Sequence, residues 1–258
     1  MNNRIIVVIS GGLASGYCAW WALNHYPKEQ VILYFNDTKW EHPDLYRFLD
    51  DLSKALDHPI IYDNDGRSVD DLFFDQRALA NNWMPFCSRI LKADRLRKFF
   101  ADGDTIIFGI SSDEAHRAQR IVKIYYEFGK SKGKWAKISF PLIREKIDKD
   151  EVRALYDRLG IDIPVLYKLG FAHNNCSGGC VRSGKKQWIH LLRTLPEVYK
   201  KREETEERIS AMLGKSVTFM KDTSLKALRE KIESQMEIKF SEDETIVTEC
   251  IGICSSEN

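Results

Sequence analysis

Two groups of residues in this chain carry chemistry that ordinary packing does not need. The first is Ser10-Gly11-Gly12-Leu13-Ala14-Ser15, set between the apolar run 4–9 and a helix-like stretch that begins at Gly16. A strand, a glycine turn and a helix start, in that order, make an anion site. Backbone N–H groups and the positive end of the helix dipole face whatever occupies the turn. Ser10 and Ser15 add hydroxyl donors, and Gly11 and Gly12 let a phosphate approach the backbone. The spacing is neither G-x-x-x-x-G-K-[ST] nor G-x-G-x-x-G. The second group is Cys87, Cys176, Cys180, Cys250 and Cys254. Thiolate-rich sites without histidine suit an iron–sulfur cluster or tetrahedral zinc. Cys18, amid apolar residues, reads as a buried helix residue instead.

The elements that must position these residues alternate. Strand-like runs at 31–35, 59–62 and 105–110 are separated by helical spacing at 43–56 and 89–100, which predicts an α/β fold: a doubly wound, mostly parallel sheet. Ligands in such sheets lie at the carboxyl ends of the strands, where Ser10, Asp37-Thr38 and Asp113 all fall. The segment 130–134 reads as a polar loop. After Pro141 the pattern turns helical, with Asp148 a candidate N-cap and Gly160 a stop for a helix at 148–159. We therefore expect a nucleotide-binding α/β domain over 1–145 and a mainly helical, cysteine-bearing region over 146–258. The charge run at 200–204 reads as a solvated helix face.

With 43% apolar residues the 258-residue chain has ample material for a core, and its net charge of +1 gives no global pull toward nucleic acid or membrane. It shows no signal-peptide pattern and no apolar run of membrane-spanning length, so a cytoplasmic protein is expected.

Longer stretches carry a resemblance. S-G-G-x-x-S resembles the pyrophosphate loop of the PP-loop ATP-pyrophosphatase superfamily. Residues 35–49, reading F-N-D-T-K-W-E-H-P-D-L-Y-R-F-L, are similar to the F-x-D-T-x-x-E-H-P segment of its phosphoadenylyl-sulfate (PAPS) reductase-like branch. Cys87-Ser88-Arg89-Ile90-Leu91-Lys92 resembles C-x-R-x-L-K. Residues 109–117 resemble G-I-R-x-D-E-x-x-R, with Ser111 where the first Arg would stand, and residues 173–184 resemble an H-N-N-C-x-x-x-C-V-x-x-G block.

The resemblance implies that Ser10, Gly11, Gly12, Ser15, Asp37, Thr38 and Gly109 bind the nucleotide. It implies that Arg89 and Lys92 meet substrate phosphates and that Asp113 and Arg117 are catalytic with them. Arg89 and Lys92, three apart, are expected on one helix face. A distant Cys ahead of a close pair also resembles the cluster pattern of assimilatory adenylyl-sulfate reductases. It favours a [4Fe–4S] cluster on Cys87, Cys176, Cys180 and a C-terminal Cys such as Cys254, with zinc as the alternative. Cys250, in E-C-I-G-I-C, resembles the tail nucleophile of PAPS reductases.

Two enzymatic readings are open. In the first, ATP and Mg²⁺ adenylate a tRNA or DNA acceptor, and sulfur from a donor protein displaces AMP with help from the cluster. In the second, PAPS or adenylyl sulfate is reduced, with thioredoxin as partner. Ala14, where PP-loops commonly carry Asp, keeps open a third reading, a non-catalytic nucleotide-binding module. A homodimer and no membrane partner complete the expectation. Two basic–aromatic groups also stand out: Lys130, Lys132, Lys134 and Lys137 around Trp135, read as solvated surface, and Arg182, Lys185, Lys186 and Arg193 around Trp188, read as the weightier nucleic-acid candidate.

Overall fold

The computed structural model describes residues 3–234. In chain order its main elements are β1 (Ile5–Ile9), α1 (Leu13–His25), β2 (Val31–Asp37), α2 (Pro43–Ala55), β3 (Ile60–Asn64) and α3 (Val69–Gln76). A π-helical turn (Arg89–Ala93) then runs into α4 (Asp94–Phe99), followed by β4 (Thr105–Phe108), α5 (Ala115–Lys132), β5 (Lys137–Ser139), α6 (Lys149–Leu159), α7 (Lys185–Thr194), α8 (Pro196–Leu213) and α9 (Leu225–Glu233). Contacts divide the described chain into two compact units. The first is residues up to 37, 43–64 and 93–165; the second is 38–42, 65–92 and 166 onward.

The first unit holds a five-stranded, wholly parallel sheet in the order β3-β2-β1-β4-β5. All five residues of β1 are buried, as an unbroken apolar run must be when helices cover both faces of a sheet. Strand order reverses at β1, with β2 on one side and β4 on the other. That reversal opens a crevice outside the carboxyl ends of the strands. The doubly wound α/β fold is therefore as expected, and Cys18 is fully buried in α1 with its thiol toward the Phe108 carbonyl. Asp148 caps α6 by accepting from the Glu151 N–H at 2.8 Å, and Gly160 ends it at φ 65°.

Two local readings change. Residues 130–132 are the last turn of α5 rather than a loop, and the helix stops at Gly133 in the left-handed conformation. The three-residue β5 was not anticipated, because so short an edge strand has no room for a pattern.

The second unit is helical around a core that includes Phe73, Trp188, Tyr199 and Leu225, all fully buried. Its α8 bears out the solvated reading of the charge run at Lys200, Lys201 and Glu204, which are exposed, and corrects it elsewhere. Arg202, Glu203 and Glu206 are buried. Glu203 pairs with Arg229 at 2.9 Å, and Glu206 accepts the N–H groups of Phe219 and Leu225 at 2.8 and 2.6 Å. Among the described residues no helix is long and apolar enough to cross a membrane.

Candidate functional site

In the first unit the loop between β1 and α1 is closed by its own hydroxyls. Ser15 Oγ accepts from the Ser10 N–H at 3.1 Å and donates to the Gly12 carbonyl at 2.9 Å, while Ser10 Oγ lies 3.1 Å from Ser15 Oγ. Gly11 adopts φ 80°, and a Cβ there would stand 2.5 Å from a Leu45 methyl. No side chain caps α1, whose N-cap is Gly12. The N-terminal end of that helix thus presents backbone donors and positive potential at the topological reversal of the sheet. Gly109 closes the arrangement from β4. A Cβ on it would lie 2.5 Å from the Ser15 nitrogen and 2.7 Å from the Ala14 carbonyl carbon, so only glycine lets the end of β4 meet the first turn of α1.

The other strand-end residues of this unit already have partners. Asp37, the last residue of β2, accepts from the Tyr46 hydroxyl at 2.8 Å. Asp113 accepts from Lys149 at 2.7 Å and from the Ser111 hydroxyl at 2.5 Å. Lys149 first, then Ser111, hold its carboxyl below the usual range. Arg117 is buried and ion-paired with Glu114.

In the second unit Cys87, Cys176 and Cys180 line one cavity together with Thr38, Trp40, Ser88 and Lys92. The backbone that delivers Cys176 is unusual. Cys176, Ser177 and Gly178 take left-handed φ values of 49°, 53° and 81° in succession. Non-glycine residues there cost on the order of 1–3 kcal/mol each, and such turns persist only where their surroundings hold them. Here Glu41 accepts the Cys176 N–H at 2.6 Å, the Ser177 hydroxyl donates to the Trp40 carbonyl at 2.9 Å, and the Phe171 ring leaves no room for a Cβ on Gly178. The Cys180 thiol beside it, together with burial, pushes the Cys176 thiol well above the ordinary range.

Glu41 is the hub of this site, and reading the sequence passed over it inside its E-H-P stretch. Its side chain is fully buried and also receives the Thr38 hydroxyl at 3.0 Å and Lys92 at 3.4 Å. Arg202 was hidden in the charge run. It stacks on Trp40 with its guanidinium carbon 3.4 Å from the ring centroid, donates weakly at 3.4 Å to the Cys176 carbonyl, and leaves its buried Nε–H without an acceptor. Burial lowers its pKa.

Arg89 and Lys92 do not share a face. Arg89 is exposed and Lys92 buried, because the turn between them is π-helical and its greater number of residues per turn breaks the i,i+3 alignment of an α-helix. The second basic–aromatic group is corrected too. Trp188 is fully buried and stacked on Phe219 at 5.5 Å, so it is no platform for a base.

Three thiols lining one cavity fit a thiophilic metal group by donor chemistry. Among the described residues, however, no three Cys, His, Asp or Glu side chains are grouped as metal ligands, and Cys250 and Cys254 lie outside the described residues.

The model of the phosphoadenosine phosphosulfate reductase domain family matches residues 4–186. A crystal structure of a phosphoadenylyl-sulfate (PAPS) reductase from Candida auris, in a phosphate complex, is similar at 14% identity and a TM-score of 0.43, over 66% of this chain and 80% of that one. No curated protein matches.

Proposed function

The chain belongs to the phosphoadenosine phosphosulfate reductase domain family, and from that premise we propose that it is an adenylating sulfur-transfer enzyme that uses ATP. The observation that carries the proposal is the β1–α1 loop, self-braced by Ser10 and Ser15 and held at the sheet's reversal point by Gly109. ATP is held with its pyrophosphate on this loop and its adenosine beside Asp37. An acceptor oxygen attacks the α-phosphorus, the bond to the β-phosphate breaks, and pyrophosphate leaves against the uncapped N-terminus of α1. When bound, Mg²⁺ neutralises charge on that leaving group. In the second unit, Arg89 of the C-x-R-x-L-K segment carries an exposed positive charge suited to a substrate phosphate.

Cys87, Cys176 and Cys180, with Cys250 or Cys254, would hold a [4Fe–4S] cluster, or zinc in its place; a cluster supplies the sulfur- and electron-handling chemistry of the second half-reaction. Glu41 and Arg202 hold the strained turn that carries Cys176. The acceptor is a tRNA or DNA oxygen and the sulfur comes from a donor protein.

The family match supports a second reading, reduction of PAPS with Cys250 as the nucleophile. Anaerobically purified protein given ATP or PAPS distinguishes the two. Pyrophosphate formed only with added RNA or DNA supports adenylation, whereas thioredoxin-dependent sulfite overturns it. ATP bound without turnover, as Ala14 would permit, identifies a non-catalytic module. Cys180→Ser is expected to abolish the visible absorption of thiolate-ligated iron. A colourless wild-type protein carrying one zinc refutes the cluster.

A further inference from the structure

The first unit presents a face that no step above uses. Along α5, Gln119, Lys123, Tyr126 and Lys130 recur at helical spacing, so they share one side of the helix. Val122, Tyr126 and Trp135 are 48%, 55% and 44% exposed, three large apolar side chains left at the surface together. Lys123 and Lys130 are exposed on that side, and Lys137, two residues beyond Trp135, is exposed too, against exposed Glu127 and Asp102.

The aromatic pair is built rather than incidental. The Tyr126 and Trp135 rings meet edge to face at 5.9 Å, and Lys130 sits 5.9 Å from the Tyr126 centroid. Trp135 is pinned through its backbone, donating to Asp102 at 2.6 Å and accepting from the Gly103 N–H at 2.8 Å. Its ring lies against α5 where Gly129 provides the room, since a Cβ there would stand 2.7 Å from Trp135 Cδ2. A helix interior does not otherwise favour glycine, so the bare position is explained by the ring it accommodates. The helix begins just beyond the carboxyl end of β4, the end that carries Gly109, and runs about 27 Å for its 18 residues.

We propose that this face of α5 with Trp135 docks single-stranded nucleic acid, its bases stacking on Tyr126 and Trp135 and its phosphates tracking Lys123 and Lys130. Half-exposed, fixed aromatic rings interleaved with cations match an unpaired strand, whose bases offer open π faces and whose backbone is anionic. A duplex keeps its bases stacked internally and gains nothing from the rings. The proposal gives the acceptor of the adenylation reading its class and rests on that reading only for its purpose. Binding is therefore measured without ATP, so that a failure of docking and a failure of turnover are read separately.

The test is fluorescence anisotropy of the full chain with a 5′-fluorescein 20-nucleotide oligouridylate, and with a DNA duplex of the same length, across a salt series. The oligouridylate is expected to bind more tightly than the duplex. Tyr126→Ala with Trp135→Ala is expected to weaken it by on the order of 10–100-fold, the scale of one or two stacked bases. Lys123→Ala with Lys130→Ala keeps the rings and is expected to lower the slope of log affinity against log salt by about 1.4. Equal binding of duplex and single strand, variants that bind as wild type, or a protein dimer that the aromatic substitutions dissolve would each overturn the proposal.

Discussion

Gly109→Ala places one methyl group against the β1–α1 loop. The new carbon would lie 2.5 Å from the Ser15 nitrogen, about 0.9 Å inside the 3.4 Å of ordinary van der Waals contact. Its other near neighbours, the Ala14 carbonyl carbon and Ser15 Cα, are also backbone. No side chain can rotate away, so either the first turn of α1 or the end of β4 must move by about that distance. Overpacking of this kind costs about 1–3 kcal/mol, which in a chain of this size lowers Tm by about 2–12 °C. The effect on a bound phosphate is more specific. A donor–acceptor distance of about 2.9 Å stretched by 0.9 Å is no longer a hydrogen bond. Losing two bonds to a charged group, at about 1.5–3 kcal/mol each, weakens nucleotide binding on the order of 100-fold or more. Isothermal titration with ATP and with adenosine 3′,5′-bisphosphate, below both Tm values, reads this directly. A variant whose Tm falls while both affinities hold would show that the loop does not carry the phosphates. One in which neither changes would refute the packing argument itself.

Three further outcomes concern the second unit. Glu41→Ala removes the buried carboxylate beside Lys92 and the acceptor for the Cys176 N–H. Urea unfolding should show a loss of about 3–5 kcal/mol, with Glu41→Gln intermediate, and a change under 0.5 kcal/mol would contradict the hub. Burial first, and repulsion from Glu203 and Glu207, push the Glu206 carboxyl up to about 7 despite two backbone donors. Its folded pKa exceeds its unfolded value, so its contribution is full below about pH 4.5 and is lost as pH rises through about 7, by at most about 3 kcal/mol. Relative to Glu206→Gln, wild type should therefore weaken between pH 5 and 8, and a constant difference across that window would sink the assignment. Ser177→Gly relieves one left-handed residue but deletes the hydroxyl bonded to Trp40. A gain in thermal stability exceeding about 1 kcal/mol would mean that bond contributes nothing to holding the turn.

The sheet and the turn between β1 and α1 were legible because each rests on neighbours in sequence: an unbroken apolar run, a glycine turn, a helix start. Gly109 stood out only within its G-I-x-x-D-E stretch; its packing against Ala14 and Ser15, far away in sequence, was not legible. What escaped depends on residues far apart in the chain. Arg202 looks solvated among charged neighbours until Trp40 stacks on it, 162 residues away. Glu41 gains its importance from Lys92 and Cys176, and neither spacing follows a periodicity. Trp135 and Trp188 both stand among basic residues in sequence, yet Trp135 is exposed, as expected, while Trp188 is buried, because exposure is decided by what packs against each ring. The π-helical turn escaped because helical spacing presumes an α-helix.

That turn has a consequence for ancestry. A π-helical turn holds one residue more than an α-helical turn over the same path. Deleting a single residue within 89–91 would restore the α-helix and rotate the residues before the deletion by about 100° relative to those after it. Cys87 and Lys92, on opposite sides of the change, could then no longer both line the cavity. The thiol site therefore depends on the length of this segment as much as on its cysteines. A chain one residue shorter there would keep every cysteine and the whole phosphate loop, yet lose the site, so a comparison of cysteines alone would miss the loss and a comparison of lengths would find it.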